Sequence, residues 1–356
     1  MPAPAKTGPG EVTAMLKLSI VDQSPVSAGF TPADALHNTI DLARLADRLG
    51  YTRYWIAEHH AMDTLASPAP EILVARVAAE TARIRVGSGG ILLPHYSPMK
   101  VAEVFRMLHA LYPGRIDLGI GRAPGGTQLE SYALQRDRRQ RLQAEDFVEQ
   151  IEELRHFFDD DFPPKHPFAR IGLSPKMPGK PEIWMLGSSM WSAEAAAKLG
   201  LPYAFAHFIN QQPTRQAIEH YRRNFTPSRD LAAPRAIVAT GALCAETSEE
   251  AQRLISSARL LGRRIRQGIL GPIATPEDAL RELGTKPDLE ARQFTEWPRY
   301  FVGTPDMVRE QLNQMASALR IEEIMVVTIV HDHAARRSSY ELLADSMGLE
   351  SQNNAP

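Results

Sequence analysis

Histidine, serine and arginine side chains follow short apolar segments of the chain, at positions where they could do chemistry. The histidines are His59, His60, His207, His331 and His333. Histidine is the side chain best suited to transfer a proton near neutral pH. The pair His59 and His60, which follows Glu58, is therefore a candidate acid or base, and a hydrogen-bonded structural role is the alternative. For His331 and His333, a structural or solvated role is an equal alternative.

Two further segments rich in glycine or serine indicate a bound ligand, and the second of them indicates that the ligand carries an anionic group. Gly89–Gly90 lets the backbone approach a bound molecule closely. Gly187–Ser189 precedes a predicted helix, whose free N–H groups and positive dipole end favour an anion. Ordinary serine capping is the alternative. Because Arg122 follows the preceding predicted strand, a phosphate is the better interpretation. A phosphate site, a flat backbone surface and a histidine base together fit a flavin mononucleotide (FMN).

The same residues do not favour a metal ion. Adjacent side chains on a strand point to opposite faces, so Glu58, His59 and His60 would not converge on one ion. The chain has no His-Glu-x-x-His motif. Its one cysteine, Cys244, excludes an intramolecular disulfide and a cysteine-based zinc site. We therefore predict no metal site.

Eight short segments rich in β-branched residues alternate with segments of helical periodicity. The strands are predicted at Lys17–Asp22, Thr52–Ala57, Ile84–Ser88, Ile116–Gly121, Glu182–Gly187, Pro202–Ala206, Arg235–Thr240 and Glu323–Ile329. The helices are predicted at Pro32–Leu49, Pro68–Ala82, Pro98–Leu111, Arg138–Phe158, Trp191–Leu199, Thr214–Asn224, Ser248–Arg266, Pro305–Leu319 and Ala334–Met347. Thr31, Ser67, Ser97 and Thr304 each precede a proline, which predicts a capped helix start.

Eight strand-helix units in succession predict an α/β fold with parallel strands. An open doubly wound sheet is possible, but the strand count and the length of 356 residues favour a (β/α)8 TIM barrel with insertions. Asp159–Pro181 and Gln267–Val302 lack periodicity, and the second is long enough to form a mobile lid before the eighth strand. We expect one domain over residues 15–347, with disordered tails at 1–14 and 348–356.

Composition excludes several functional classes. The 40 lysines and arginines balance 42 aspartates and glutamates, for a formal net charge of −2. Such a chain has no general attraction to nucleic acid or anionic lipid. No run approaches the roughly 20 apolar residues of a membrane span, and the first residues lack the apolar core of a secretory signal. We expect no nucleic-acid or membrane partner, and a cytoplasmic protein.

A set of motifs, in order along the chain, resembles the bacterial luciferase-like, flavin-dependent monooxygenases. They are Tyr54–His60, Val86–Pro94, Pro113–Arg122, Leu186–Ser189 with Ala196–Pro202, and Val302–Pro305. The resemblance extends from about residue 16 to 346, so it covers nearly the whole chain. Within the family, the chain is similar to the branch that carries Asp-Gln-Ser-Pro after the first strand, here Asp22–Pro25.

The resemblance implies a barrel enzyme that takes reduced FMN from a separate flavin reductase. Dioxygen then forms a peroxyflavin, which oxidises a small organic substrate; Met62, Leu65 and Ile91 near the predicted mouth suggest that this substrate is hydrophobic. A homodimer through the second and third helices is also implied. The family's mobile lid corresponds to about residues 267–297.

The family's site residues correspond to positions of this chain. His59 would be the catalytic acid or base. The implied cofactor-binding residues are Glu58, Gly89, Gly90, Arg122, Gly187, Ser188, Ser189 and Ser192. Among these, Gly89–Gly90 would carry a cis peptide bond against the flavin ring, and Arg122, Ser189 and Ser192 would contact the phosphate. The resemblance also implies a second arginine that contacts the phosphate, and the candidates for it are Arg138, Arg139 and Arg141. A reactive cysteine of the luciferase itself is replaced here by Gly121, so no thiol chemistry is expected.

Two other functions fit the same motifs. Relatives of the family use a deazaflavin for hydride transfer without oxygen, which would keep the fold and change the cofactor. A flavin-binding relative that has lost oxygenation would keep the site and lose the reaction. Titration with FMN and with a deazaflavin distinguishes the first alternative from an FMN-dependent monooxygenase. Reaction of the reduced, flavin-loaded protein with air distinguishes the second.

Overall fold

The computed structural model describes residues 15–122, 125–126, 128–134, 146–284 and 295–350. Its strands are β1 (Lys17–Asp22), β2 (Arg53–Ile56), β3 (Arg85–Leu92), β4 (Ile116–Gly121), β5 (Glu182–Gly187), β6 (Tyr203–Ala206), β7 (Ala236–Cys244), β8 (Tyr300–Gly303) and β9 (Glu323–Val327). Strands β1 to β7 and β9 pair in parallel, and the pairing of β6 with β7 closes them into an eight-stranded barrel. The predicted (β/α)8 barrel is confirmed.

Helices surround the barrel. They are α1 (Pro32–Leu49), α2 (Pro70–Glu80), α3 (Pro98–Leu111), α4 (Gln128–Leu134), α5 (Phe147–Asp159), α6 (Met190–Leu199), α7 (Thr214–Arg223), α8 (Ser248–Arg266), α9 (Pro276–Leu283), α10 (Pro305–Leu319) and α11 (His333–Ser346). Their apolar faces and the outward faces of the strands form one continuous core, while a second apolar cluster lines the barrel interior and extends to α8. None of the described helices is both long and apolar enough to cross a lipid bilayer.

Local sequence explains where most helices begin and end. The Thr31 hydroxyl accepts the Asp34 N–H at 3.2 Å, and the Asp34 carboxylate accepts the Thr31 N–H at 2.8 Å, so α1 begins with a capping box. Gly50 ends α1 at a φ of +86°. The predicted start after Ser67 is wrong. The Ser67 carbonyl accepts the His59 N–H at 2.9 Å, and the helix begins three residues later at Pro70.

Two elements were not predicted between β7 and β9. Strand β8 pairs with the second half of β7, which extends to Cys244, beyond the predicted end at Thr240. Gly241 permits this pairing, because a Cβ there would lie 2.1 Å from a ring atom of Tyr300. Helix α9 lies inside the segment predicted to be aperiodic. The sequence does contain a start signal for this helix, because Thr275 is its N-cap and Pro276 its first residue.

The insertion that contains α9 is attached to the barrel at its start. Ile273 forms a parallel bridge with Ser27, and its N–H donates to the Val26 carbonyl at 2.8 Å. The Thr64 hydroxyl donates to the Gly271 carbonyl at 2.7 Å. Residues 285–294, in the second half of the predicted lid, lie outside the described residues, so the lid stays a prediction.

Two other predicted segments are partly described. The helix predicted at Arg138–Phe158 corresponds to α5, and its first residues lie outside the described chain; α4 before it was not predicted. The predicted tails 1–14 and 351–356 also lie outside it. Residues 348–350 are described, and Leu349 packs against the core.

Charged side chains fill the N-terminal end of the barrel. The guanidinium of Arg53 donates to Asp117 at 2.7 Å, to Glu182 at 3.1 Å and to Glu323 at 2.9 Å. These residues come from β2, β4, β5 and β9, so one side chain joins four strands. Burial disfavours the charge, but Asp117, Glu323 and Glu182 outweigh it and raise the pKa of Arg53 above its ordinary value.

Substitution of Arg53 tests how much this network contributes to stability. Arg53→Met should lower the free energy of unfolding by about 3–5 kcal/mol, because buried carboxylates would lose their shared counter-charge. Urea unfolding followed by tryptophan fluorescence measures the change. Arg44→Met is the matched control, since Arg44 pairs with Glu80 on the surface and should leave the free energy nearly unchanged. Equal effects of the two substitutions would contradict the assignment.

Candidate active site

A cavity of about 390 Å³ opens at the C-terminal ends of the barrel strands. All nine residues predicted for the site line it: Glu58, His59, Gly89, Gly90, Arg122, Gly187, Ser188, Ser189 and Ser192. They lie within β3, at or just after the ends of β2, β4 and β5, or in the first turn of α6, and these four strands are neighbours in the barrel. The structure therefore brings together residues that lie up to 134 positions apart in the chain.

Small residues leave the space for this cavity. The floor and the far wall carry mostly apolar side chains: Val21, Trp55, Ala57, Leu186, Ala204, Ala206, Phe208, Ala239 and Met325. Alanine on β6 and β7 keeps the upper barrel interior open where larger residues would fill it. Met62, Leu65 and Ile91, from which a hydrophobic substrate was predicted, do not line the cavity. Its apolar character comes from the residues of the barrel interior instead.

Gly89 and Gly90 form one wall of the cavity with bare backbone. A Cβ on Gly89 would lie 2.9 Å from Cβ of Trp55, and one on Gly90 would lie 2.7 Å from the Gly119 carbonyl oxygen. Neither position therefore has room for a side chain. The peptide bond between the two glycines is cis, as the family resemblance implied.

The carboxylate of Glu58 is buried and fully engaged. It accepts the Leu92 N–H at 3.0 Å, the Tyr96 hydroxyl at 3.0 Å and a bond from His60 Nε2 at 2.7 Å. Burial raises the pKa of Glu58 above its ordinary value, while these three bonds oppose the rise. Because Leu92 ends β3, the Glu58 carboxylate ties the end of β2 to the strand that carries Gly89 and Gly90.

His59 has a buried ring nitrogen for which the described residues provide no partner. Nδ1 of His59 is buried and makes no hydrogen bond to a described residue, whereas Nε2 of His60 bonds to Glu58. Burial and the neighbouring His60 lower the pKa of His59 to about 4. His59 is therefore neutral at pH 7. An unsatisfied buried nitrogen at the wall of a cavity is available for a ligand.

Arg122 presents a guanidinium at the mouth. Its central carbon lies 3.9 Å from the centre of the Trp191 ring, so the two planar groups stack. Arg122 is exposed, and no carboxylate pairs with it among the described residues. A stacked guanidinium without an internal counter-ion can take an anionic group of a ligand.

The N-terminus of α6 faces the cavity beside Arg122. Ser189 is the N-cap, and its hydroxyl accepts the Ser192 N–H at 3.4 Å. The Ser192 hydroxyl is buried and lies 2.7 Å from the Ser189 carbonyl and 2.9 Å from the Tyr203 hydroxyl. Ser192 therefore holds the helix end in place. Ser188 and Ser189 remain on the cavity wall, at the positive end of the helix dipole.

Several predicted polar residues lie away from the cavity and have structural partners. His207 bonds to the Thr214 hydroxyl at 2.7 Å and the Pro298 carbonyl at 3.0 Å, and burial lowers its pKa to about 4. His331 bonds to the Ala28 carbonyl and His333 to the Asp41 carboxylate, each at 2.9 Å. Burial raises the pKa of Cys244 to about 12. These contacts support the structural interpretation for His207, His331 and His333.

The remaining candidates cannot be placed. Arg138, Arg139 and Arg141 lie outside the described residues. Within the described part of the chain, no three histidine, cysteine, aspartate or glutamate side chains cluster as metal ligands would. Among the cavity residues, Gln23 and Trp191 were not predicted for the site. The position of Gln23 was a usable signal, because it directly follows β1, and barrel enzymes carry their functional residues at the C-terminal ends of the strands.

The pH dependence of stability tests the buried, neutral state of His59. Between about pH 4 and 6.5 the unfolded chain binds a proton at this residue that the folded chain does not bind, so stability should fall as the pH falls through this window. His59→Asn removes the titrating group. The slope of the unfolding free energy against pH reports the number of protons taken up on unfolding, and in the variant this number should be lower by about one. Urea unfolding at several pH values measures the slope, and an unchanged slope would contradict the lowered pKa.

Comparison with known proteins identifies the family. The family model for luciferase-like monooxygenases matches residues 16–320. The crystal structure of apo-MsnO8 is 51% identical, has a TM-score of 0.89 and covers 95% of this chain and 100% of that chain. The N-acetyl-S-alkylcysteine monooxygenase of Bacillus subtilis is 39% identical over 337 residues, which are 94% of this chain and 98% of the relative.

More distant solved structures share the fold. One is the oxygenating constituent of 3,6-diketocamphane monooxygenase from Pseudomonas putida in complex with FMN. It is 21% identical, has a TM-score of 0.68 and covers 96% of this chain and 98% of that chain. Another is an F420-dependent secondary alcohol dehydrogenase, 12% identical with a TM-score of 0.68, covering 94% of this chain and 99% of that chain. The family match over most of the chain is decisive: the protein belongs to the luciferase-like, flavin-dependent monooxygenases and is an oxidoreductase.

Proposed function

We propose that the cavity binds reduced FMN, delivered by a separate flavin reductase, and that the enzyme uses dioxygen to oxidise a small hydrophobic molecule. The observation that carries this proposal is the juxtaposition of an anion site and a bare backbone surface in one cavity. Arg122 and the N-terminus of α6 lie beside the glycine pair. In the reaction, one oxygen atom enters the product and the other leaves as water, while the reduced flavin supplies the electrons.

The residues present fit this cofactor. The phosphate would bind to Arg122, the Ser189 hydroxyl and the free N–H groups of α6. The flavin ring would lie against Gly89–Gly90, where no side chain intervenes. Glu58 would hold that surface through the Leu92 N–H rather than contact the cofactor with a free carboxylate.

His59 would be the acid or base. Its ring lines the cavity and is neutral at pH 7, so a nitrogen lone pair is free to take up a proton transiently during the reaction. When bound, the reduced flavin would supply the electrons that activate dioxygen. The residues of this chain hold the proton, exclude water and orient the substrate on the apolar wall formed by Val21, Ala239 and Met325.

We also propose that the protein is a homodimer. Ile72 on α2 and Met107 and Leu111 on α3 are exposed apolar side chains, with 67%, 56% and 64% of their surface accessible. The dimer expected from the family uses these two helices. The mass measured by light scattering tests this proposal.

Binding of FMN and riboflavin tests the phosphate site. The apoprotein should bind reduced FMN more tightly than reduced riboflavin, which lacks the phosphate. Arg122→Gln should weaken FMN binding by about 10- to 100-fold, because charge-assisted hydrogen bonds are lost, and leave riboflavin binding unchanged. Anaerobic calorimetry measures both affinities, and Arg44→Gln is the control. Equal affinities for FMN and riboflavin, or tighter binding of a deazaflavin cofactor than of FMN, would contradict the proposal.

Reaction of the reduced complex with air tests His59. His59→Asn should slow the oxygen-dependent absorbance change by about 10²-fold, because the positioned proton-transfer group is lost. Stopped-flow mixing of the anaerobic FMN complex with air-saturated buffer follows this change. The FMN affinity of the variant, measured in parallel, shows whether the cofactor site is intact. A progress curve like that of the wild type would show that His59 is not the acid or base.

A further inference from the structure

Gln23 is a polar residue at the cavity to which the proposed chemistry gives no role. It directly follows β1, lines the cavity and is half-buried. Its amide offers two donors and an acceptor, and within the described part of the chain it makes no side-chain hydrogen bond. The preceding residue, Asp22, differs in having its side chain fully bonded. The Asp22 carboxylate bonds to Arg336 at 2.7 Å and to the Ser24 N–H at 2.8 Å, on the outer side of the barrel.

The topology places Gln23 across the cavity from the proposed phosphate site. In the closed barrel, β1 is four strands from β5 in either direction. Arg122 follows β4 and Ser189 follows β5. A cofactor with its phosphate there, and with its ring on the glycine pair of β3, leaves the side formed by β7, β9 and β1 for the substrate.

The wall on that side is apolar and carries no charge. Its described residues are Val21 of β1, Met325 of β9, Ala239 of β7 and Phe208 after β6. Arg122 is the one lysine or arginine among the described lining residues, and the proposed phosphate would neutralise it. A carboxylate bound against this wall would lose its hydration without gaining a counter-charge, which is unfavourable.

We propose that Gln23 binds the substrate, and that the site takes an uncharged, mainly apolar molecule with one hydrogen-bonding group such as a carbonyl or an amide. The apolar wall holds the body of the molecule, and the Gln23 amide fixes its polar end. This inference rests on the proposed flavin site, because the flavin determines which side of the cavity remains open.

A matched pair of probes tests the charge preference. N-acetyl-S-butylcysteine carries a carboxylate at pH 7, and its primary amide has the same apolar part without the charge. Calorimetry with the FMN-loaded protein should show that the amide binds at least about 10-fold more tightly. Equal or tighter binding of the carboxylate, or no binding of either probe, would overturn the inferred substrate class.

Substitution of Gln23 tests the residue itself. Gln23→Met keeps the size and removes the amide, so affinity for the amide probe should fall by about 5- to 10-fold while affinity for FMN stays unchanged. Gln252→Met, on the exposed face of α8, is the matched control. Unchanged probe binding would overturn the role of Gln23, and weakened FMN binding would show that it contacts the cofactor instead. Failure of the wild-type protein to bind FMN would refute the proposed function itself, a separate result.

Discussion

The buried charge of Arg53 organises the barrel interior. Asp117, one of its partners, also accepts the indole N–H of Trp55 at 2.9 Å. Trp55 packs edge-on against Trp184, with ring centres 5.4 Å apart, and its other side is the floor of the cavity. The ionic layer therefore positions an aromatic layer, and the aromatic layer sets the depth of the site. Removing the charge would disturb the floor on which the proposed cofactor and substrate rest.

The polar groups at the two ends of the barrel differ in whether they have partners. At the N-terminal end, the guanidinium of Arg53 finds carboxylates from three other strands. At the C-terminal end, the described residues offer neither a carboxylate to Arg122, which stacks on Trp191, nor a hydrogen bond to Nδ1 of His59. An unpaired buried nitrogen costs stability, and beside a cavity it is a group that a ligand can satisfy, as can the exposed guanidinium of Arg122.

Most of the fold could be predicted because its signals are local. Alternation of β-branched segments with helical periodicity predicted all eight barrel strands, and caps such as Thr31 predicted helix starts. Strand β8 could not be predicted, because it depends on contact between Tyr300 and the bare backbone of Gly241, 59 residues earlier. The start of α2 was displaced by a contact outside the helix, since the Ser67 carbonyl accepts the N–H of His59, eight residues earlier.

The sequence by itself determined which residue types stand at the strand ends, and with them the barrel, the family and the candidate site. Only the tertiary structure decided which of those residues are free to act. His207 is fully buried and His59 is half-buried, and desolvation lowers the pKa of each to about 4. They differ in their partners, because the Pro298 carbonyl, 91 residues away, satisfies His207, while nothing described reaches Nδ1 of His59. Hydrogen-bond partners from distant segments are set by how the barrel closes, and no local pattern encodes them.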